Sequence, residues 1–98
     1  MEYEQLIFSS HAIKQMFSRK ISKAEVKTVL SAGEVIREYL DDSPYPSYLF
    51  LGFVSDRPIH VVVGFDFKAR KAYVITTYQP DADLWELDYK RKKKTWNV

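Results

Sequence analysis

The run Ile59–Phe67 constrains this chain more than any other stretch. Side chains along a strand alternate between two faces, so Ile59, Val61, Val63, Phe65 and Phe67 share one side. His60, Val62, Gly64 and Asp66 share the other. The first set is a core face. The second is mixed rather than polar, so something covers part of it. Pairing Phe67 with Ala72 across the turn Lys68–Lys71 brings Thr77 and Gln79 onto this second face beside His60 and Val62. Its cover is the segment Leu84–Tyr89, a partner or a substrate.

The remaining elements follow from caps and breakers. Gln5–Phe8 is a short possible strand. Ser9 and Ser10 are suitable N-caps for a helix ending near Ser18 or Arg19. Ala12, Ile13, Met16 and Phe17 form its apolar stripe, while His11, Gln15 and Arg19 share a polar one. Ser22 and Glu25 match a capping box opening a second helix, with Val26, Val29 and Leu30 as its buried stripe. Gly33 sits where a left-handed C-cap belongs. Val35–Leu40, Tyr48–Val54, Ile59–Phe67 and Ala72–Tyr78 read as strands. Between them lie the proline-containing loop Asp41–Ser47 and the turn Ser55–Pro58. The sum is a single α+β domain over residues 1–89, two N-terminal helices packed on an antiparallel sheet of about four strands, followed by a basic tail over 90–98.

Ninety-eight residues with 46% apolar and 15% aromatic content suffice for one core and leave no room for a second. The chain has no cysteine, which excludes disulfides, thiolate metal sites and cysteine nucleophiles. The acidic start Met1-Glu2-Tyr3-Glu4 does not resemble a signal peptide, and no apolar run reaches membrane-spanning length, so a cytoplasmic location is expected. Lys90-Arg91-Lys92-Lys93-Lys94 holds five of the fifteen Lys and Arg residues, leaving residues 1–89 with 10 basic against 13 acidic groups, a balance of −3. The tail can therefore attract nucleic acid or an acidic partner in its own right.

No glycine-rich phosphate loop, paired-histidine metal signature or nucleophile elbow is present. With two histidines and no cysteine, neither a metal nor a cofactor is expected. His11 and His60 are candidates for the base and acid steps of RNA cleavage, in which a 2′-hydroxyl attacks the adjacent phosphate. Arg19 or Lys14 could stabilise the transition-state charge. Tyr78 and Trp85 are suited to stacking on bases, or equally to packing at a sheet end.

These residues also carry a resemblance. Phe8-Ser9-Ser10-His11-Ala12, Met16, Arg19, Ile21-Ser22 and Gly33-Glu34-Val35-Ile36 with Tyr39 resemble one bacterial family, as do Arg57–Val63 and Val74–Asp81 ending in Trp85. This is the domain-of-unknown-function family DUF4258, grouped with RelE-like toxins, and the resemblance spans about residues 6–86. It implies a RelE-like fold and a toxin of a toxin–antitoxin pair: a metal-independent endoribonuclease acting on mRNA and held by a cognate antitoxin protein. On that reading His11, His60, Arg19 and Tyr78 are catalytic, and Lys14, Gln15, Thr76 and Trp85 bind substrate. The family pattern often has an arginine where this chain has Gln15, which leaves one cation fewer on that stripe. The alternative is a non-catalytic RNA- or protein-binding module of the same fold. In a third reading both histidines are simply packed.

Overall fold

The computed structural model describes residues 1–94. Its elements run β1 (Gln5–Phe8), α1 (Ser10–Arg19), α2 (Lys23–Ala32), β2 (Glu34–Tyr39), β3 (Ser47–Val54), β4 (Arg57–Asp66) and β5 (Lys71–Tyr78). The five strands form one sheet in the order β1-β5-β4-β3-β2. The α+β class stands, but the sheet is mixed and not a four-stranded antiparallel one. Gln5–Phe8 pairs parallel to Lys71–Val74 at the edge of the sheet. Parallel partners must be joined by a crossover, and the two helices with β2–β4 provide it.

Both helices begin on a hydroxyl. Ser9 accepts from the Ala12 amide, and Ser22 and Glu25 form the complete reciprocal box. Glu25 then also pairs with Arg57 at the start of β4, which ties the helix to the sheet. The Ser22 amide and the Arg57 guanidinium hold the Glu25 carboxyl below its ordinary value. Gly33 is not left-handed: its φ of −83° and ψ of −172° are extended. Glycine is required there for space, because a Cβ would stand 2.4 Å from the Leu51 carbonyl oxygen and 2.5 Å from that of Val29.

The helices lie on one face, α1 over β5 and α2 over β3 and β4. Between helices and sheet, Ala12, Met16, Val26, Val29, Tyr48, Phe50, Ile59, Val61, Val63, Phe65, Ala72 and Val74 form the core. The α1 stripe is narrower than its sequence suggests. Ala12 and Met16 are buried, but Ile13 is 42% and Phe17 88% exposed. Helix α1 meets mainly β5, at the side of the sheet, so only part of its apolar arc finds a partner. Phe67 likewise lies beyond β4 and is 55% exposed, because the β4–β5 turn falls at 67–70, one residue earlier than the alternation implied.

Two irregularities fix which side chains point outward. Ala72 pairs with Phe65, not Phe67, and the register then slips between Val62 and Val63, leaving Ile75 as the extra residue. A matching slip in β2 leaves Ile36 extra between Val35 and Arg37. Each bulge resets the alternation of its strand. Thr77, expected outside, is fully buried opposite Val61 and donates its hydroxyl to the His60 carbonyl. Tyr78 takes the outward place opposite His60, and Arg37 turns away from the side of Val35.

Candidate functional site

The outer face of the sheet carries three rows of paired residues: Leu51, His60 and Tyr78, then Arg37, Leu49, Val62 and Thr76, then Tyr39, Ser47 and Gly64 with Tyr73. Chain segments close both ends. At one end the C-terminal segment folds over His60. Trp85 sets its ring edge-on to the imidazole, centroids 4.5 Å apart. The segment turns back on itself through an isolated bridge between Trp85 and Lys92, and the Lys93 amide donates to the Leu84 carbonyl. Lys90 reaches Glu34 at 2.8 Å, which raises the pKa of its ammonium. The first residues of the basic tail are thus part of this closure, and 95–98 lie outside the described residues.

At the other end Tyr45 stacks on Tyr73, rings 7° from parallel and 5.5 Å apart. The carboxylate of Asp66 beside it pushes the Tyr45 hydroxyl up. Asp42 fixes this loop by accepting from the Ser43 amide and from the Ser47 hydroxyl. Between the two closures the sheet stays open around Val62 and Thr76, both only partly buried.

His60 is wholly buried beneath Trp85, its two ring nitrogens both engaged. Nε2 lies 2.7 Å from the Tyr89 carbonyl oxygen, which can only accept, so Nε2 carries the proton. Nδ1 is then the free lone pair, 3.3 Å from the Tyr78 hydroxyl. Tyr78 is the donor of that bond. Burial, opposed only partly by the Tyr89 carbonyl, lowers the His60 pKa, and the charge of Arg37 lowers it further. The neutral ring is the resting form. Burial also raises the pKa of Tyr78, while the charges of Arg37 and Arg19 pull in the opposite direction.

The polar stripe of α1 lies along the part of β5 that β1 does not reach. Arg19 donates to the Thr77 carbonyl at 2.9 Å and to the Thr76 hydroxyl at 3.3 Å. The Thr76 hydroxyl donates to Gln15 Oε1 at 2.6 Å, and Gln15 Nε2 stands 2.9 Å from His11 Nε2. Gln15 is thereby a link: an amide offers an acceptor to Thr76 and a donor to His11, and a guanidinium offers only donors. His11 is exposed at the end of this chain.

The structure therefore divides the sequence-derived candidates into two groups. His11, Gln15, Arg19 and Thr76 form one hydrogen-bonded line, and His60, Tyr78 and Trp85 form a packed cluster. They meet where Arg19 donates to the carbonyl of Thr77, the residue before Tyr78. No hydrogen bond joins His11 to His60, and Lys14 is exposed on α1 outside both groups. One residue escaped the sequence reading. Arg37 lies over the Trp85 ring, 5.8 Å from its centroid, and Lys92 lies at the same distance from that ring. A cation beside Ile36 gave no signal, since strict alternation puts Arg37 on the same side as Val35. The outcome is a tyrosine hydroxyl on a partly open sheet face that also carries Arg19, bonded to the neighbouring Thr77 carbonyl, and Arg37, over Trp85, and such guanidiniums are suited to an anion. Among the described residues no group of three or more His, Asp or Glu side chains could hold a metal ion, and no helix is long and apolar enough to cross a membrane.

The family model for the domain of unknown function DUF4258 matches residues 8–79, from the end of β1 through β5. The chain belongs to the DUF4258 family. Within that family's span lie every strand pairing of the sheet except the first residues of β1, together with Arg19, Arg37, His60 and Tyr78. Trp85 and the C-terminal closure lie beyond it. No curated protein and no solved structure matches the chain.

Proposed function

We propose that this protein binds single-stranded RNA across the outer face of its sheet and cuts it without a metal. In this reading it is the RelE-like toxin of a bacterial toxin–antitoxin pair, acting on messenger RNA and held by an antitoxin. The observation that carries the reading is the Tyr78 hydroxyl, which donates to His60, with Arg19 bonded to the neighbouring Thr77 carbonyl and Arg37 over the Trp85 ring that covers His60.

The chemistry differs from a two-histidine scheme. The RNA 2′-hydroxyl attacks the neighbouring phosphorus. The new O–P bond forms as the bond to the 5′-oxygen breaks, giving a 2′,3′-cyclic phosphate and a 5′-hydroxyl. The 2′-proton passes to the Tyr78 oxygen while the Tyr78 proton passes to His60 Nδ1, and water protonates the departing 5′-oxygen. His60 thus acts through Tyr78 as an acceptor, a role its neutral Nε2–H form fits. Arg19 and Arg37 offset the charge that develops on the phosphate. His11, with Gln15 and Thr76, binds RNA along α1. Trp85, buried edge-on against His60, supports that ring, and the basic segment after it adds sequence-independent affinity.

Purified protein incubated with RNA in chelator is expected to leave cyclic-phosphate and 5′-hydroxyl ends. Tyr78→Phe and Arg37→Ala should each slow the reaction by about 10²-fold or more. An unaltered rate in Tyr78→Phe would sink the mechanism. In cells, expression should arrest growth, and a neighbouring gene product should relieve it.

One observation favours a second reading. Only His11 of the two histidines is exposed, so the same face could hold RNA without cutting it. Binding with intact RNA after prolonged incubation, and no growth arrest, would select that module.

A further inference from the structure

Two hollows open on the outer sheet face beside the Asp41–Pro46 loop. The larger, about 640 Å³, has Val62 as its floor and Tyr39 and Leu40 as its apolar wall, with Asp41 and Asp42 on the loop side. The smaller, about 340 Å³, is lined by Pro44, Tyr45, Gly64, Tyr73 and Ile75, and again by Asp42. Val62 and Gly64 point the same way on β4, two residues apart, which sets the two floors ~7 Å from each other. The smaller hollow exists because Gly64 has no side chain: a Cβ there would meet Ile75 Cδ1 at 3.7 Å and the Pro46 carbonyl oxygen at 3.9 Å, and nothing nearer. Tyr39 is 43%, Leu40 63% and Ile75 42% exposed, so these walls are apolar surface open to a partner.

We propose that the paired hollows dock an extended segment of a partner protein, with apolar side chains at positions i and i+2 and a Lys or Arg beside them. Side chains i and i+2 of an extended chain project to one side about 7 Å apart, the spacing of the two floors. Charge supplies the second requirement. Asp41 lines the larger hollow and Asp42 lines both, and among the described residues no Lys or Arg lines either. Asp42 accepts from the Ser43 amide and the Ser47 hydroxyl and keeps its charge. The cations elsewhere on this face are directed away or opposed: Arg37 sets its guanidinium over the Trp85 ring, and Lys71 stands opposite Asp66. Carboxylates without a cation attract Lys or Arg and repel phosphate, so this end of the face suits a polypeptide and not RNA. The inference needs no RNA chemistry and stands or falls apart from it.

NMR titration of the isotope-labelled protein tests this with four probes. They are the peptide Gly-Lys-Leu-Ser-Leu-Lys-Gly, the same peptide with Glu for both Lys, a version with the two Leu adjacent, and oligo-U with 2′-O-methyl riboses, which cannot be cut. The first peptide should shift the amides of Tyr39, Asp42, Val62 and Gly64. It should bind about tenfold tighter than the acidic peptide and several-fold tighter than the one with adjacent Leu. Gly64→Val fills the smaller hollow and should weaken the first peptide about fivefold or more. Asp41→Lys, on the exposed loop, should cancel the preference for the basic peptide over the acidic one. Equal binding of the basic and acidic peptides, shifts confined to other parts of the molecule, or no binding by any peptide overturns the proposal. So does oligo-U shifting the Val62 and Gly64 amides more than the first peptide does, which would assign the hollows to RNA. Binding of the first peptide at this site with no response to oligo-U anywhere supports the proposal and overturns the RNA reading alone.

Discussion

The two faces of the sheet are built on different principles. The helix-covered face is largely apolar, closed by α1 and α2, and it contains Ile59, Val61 and Val63 with no exposure at all. The outer face is covered by the C-terminal segment at one end and the Asp41–Pro46 loop at the other, and directional contacts hold it. His60 to Tyr89, Tyr78 to His60, Asp42 to Ser47 and the Trp85 ring edge are its fasteners. Non-directional burial stabilises the first face and tolerates no gap. The second leaves polar groups with unused valence between its fasteners, and that is where the candidate site lies.

Substitutions that separate the faces should therefore differ in size and in character. The largest effect belongs to the core: Ile59→Ala should cost about 2–5 kcal/mol, read as a lower urea midpoint at unchanged slope. If Ile59→Ala cost less than a change on the outer face, the contrast would collapse. His60→Ala comes next, at about 1–3 kcal/mol, because it leaves the buried Tyr89 carbonyl and Tyr78 hydroxyl without a partner.

The same residue gives the outer face a pH signature. The folded pKa of His60 lies below the ordinary value of 6.5, so the unfolded chain binds the proton more readily. Stability from this group is fully present above 6.5 and declines as pH falls toward the folded pKa. Urea midpoints across that window should fall in the unaltered protein, and His60→Gln should flatten that part of the profile. A decline of equal size in His60→Gln would place the titrating group elsewhere. Glu25→Gln should lose about 1 kcal/mol through the N-cap of α2 and its link to Arg57. The smallest effect is expected from Lys90→Ala, whose exposed pair with Glu34 should leave the thermal midpoint where it is.

The helix-covered face was the legible one. The Ser22–Glu25 box, the Val26–Val29–Leu30 stripe and the alternation from Ile59 to Phe65 are local patterns, and the structure keeps each of them. What the sequence misassigned depends on contacts far apart in the chain. Ile13 and Phe17 fit an apolar stripe, but how much of it is buried depends on where α1 lands on the sheet. Gly33 reads as a turn residue, yet its role is the close passage of Leu51, a residue of another element. Gln5–Phe8 pairs with Lys71–Val74, at the far end of the chain's run of elements. At the site, Arg19, His60, Tyr78 and Trp85 were recognisable as chemistry-bearing residues. Which of them share a face was not, since Ile36 and Ile75 look like ordinary strand residues in the sequence.

Those two bulges make the outer face a matter of parity. Each adds one to the count along its strand and so exchanges odd positions for even ones from that point on. Deleting Ile75 alone would return β5 to simple alternation and keep the pairings on either side of it, Val74 with Val63 and Thr76 with Val62, so Thr77 would stay inside and the Tyr78 ring outside. Deleting Ile36 would likewise keep Arg37 opposite Leu49 on the outer face. A chain with neither extra residue would present the same two faces, so each bulge is a slack loop in its strand: it absorbs one residue of length change in β2 or β5 and hands the same outer surface on to the residues beyond.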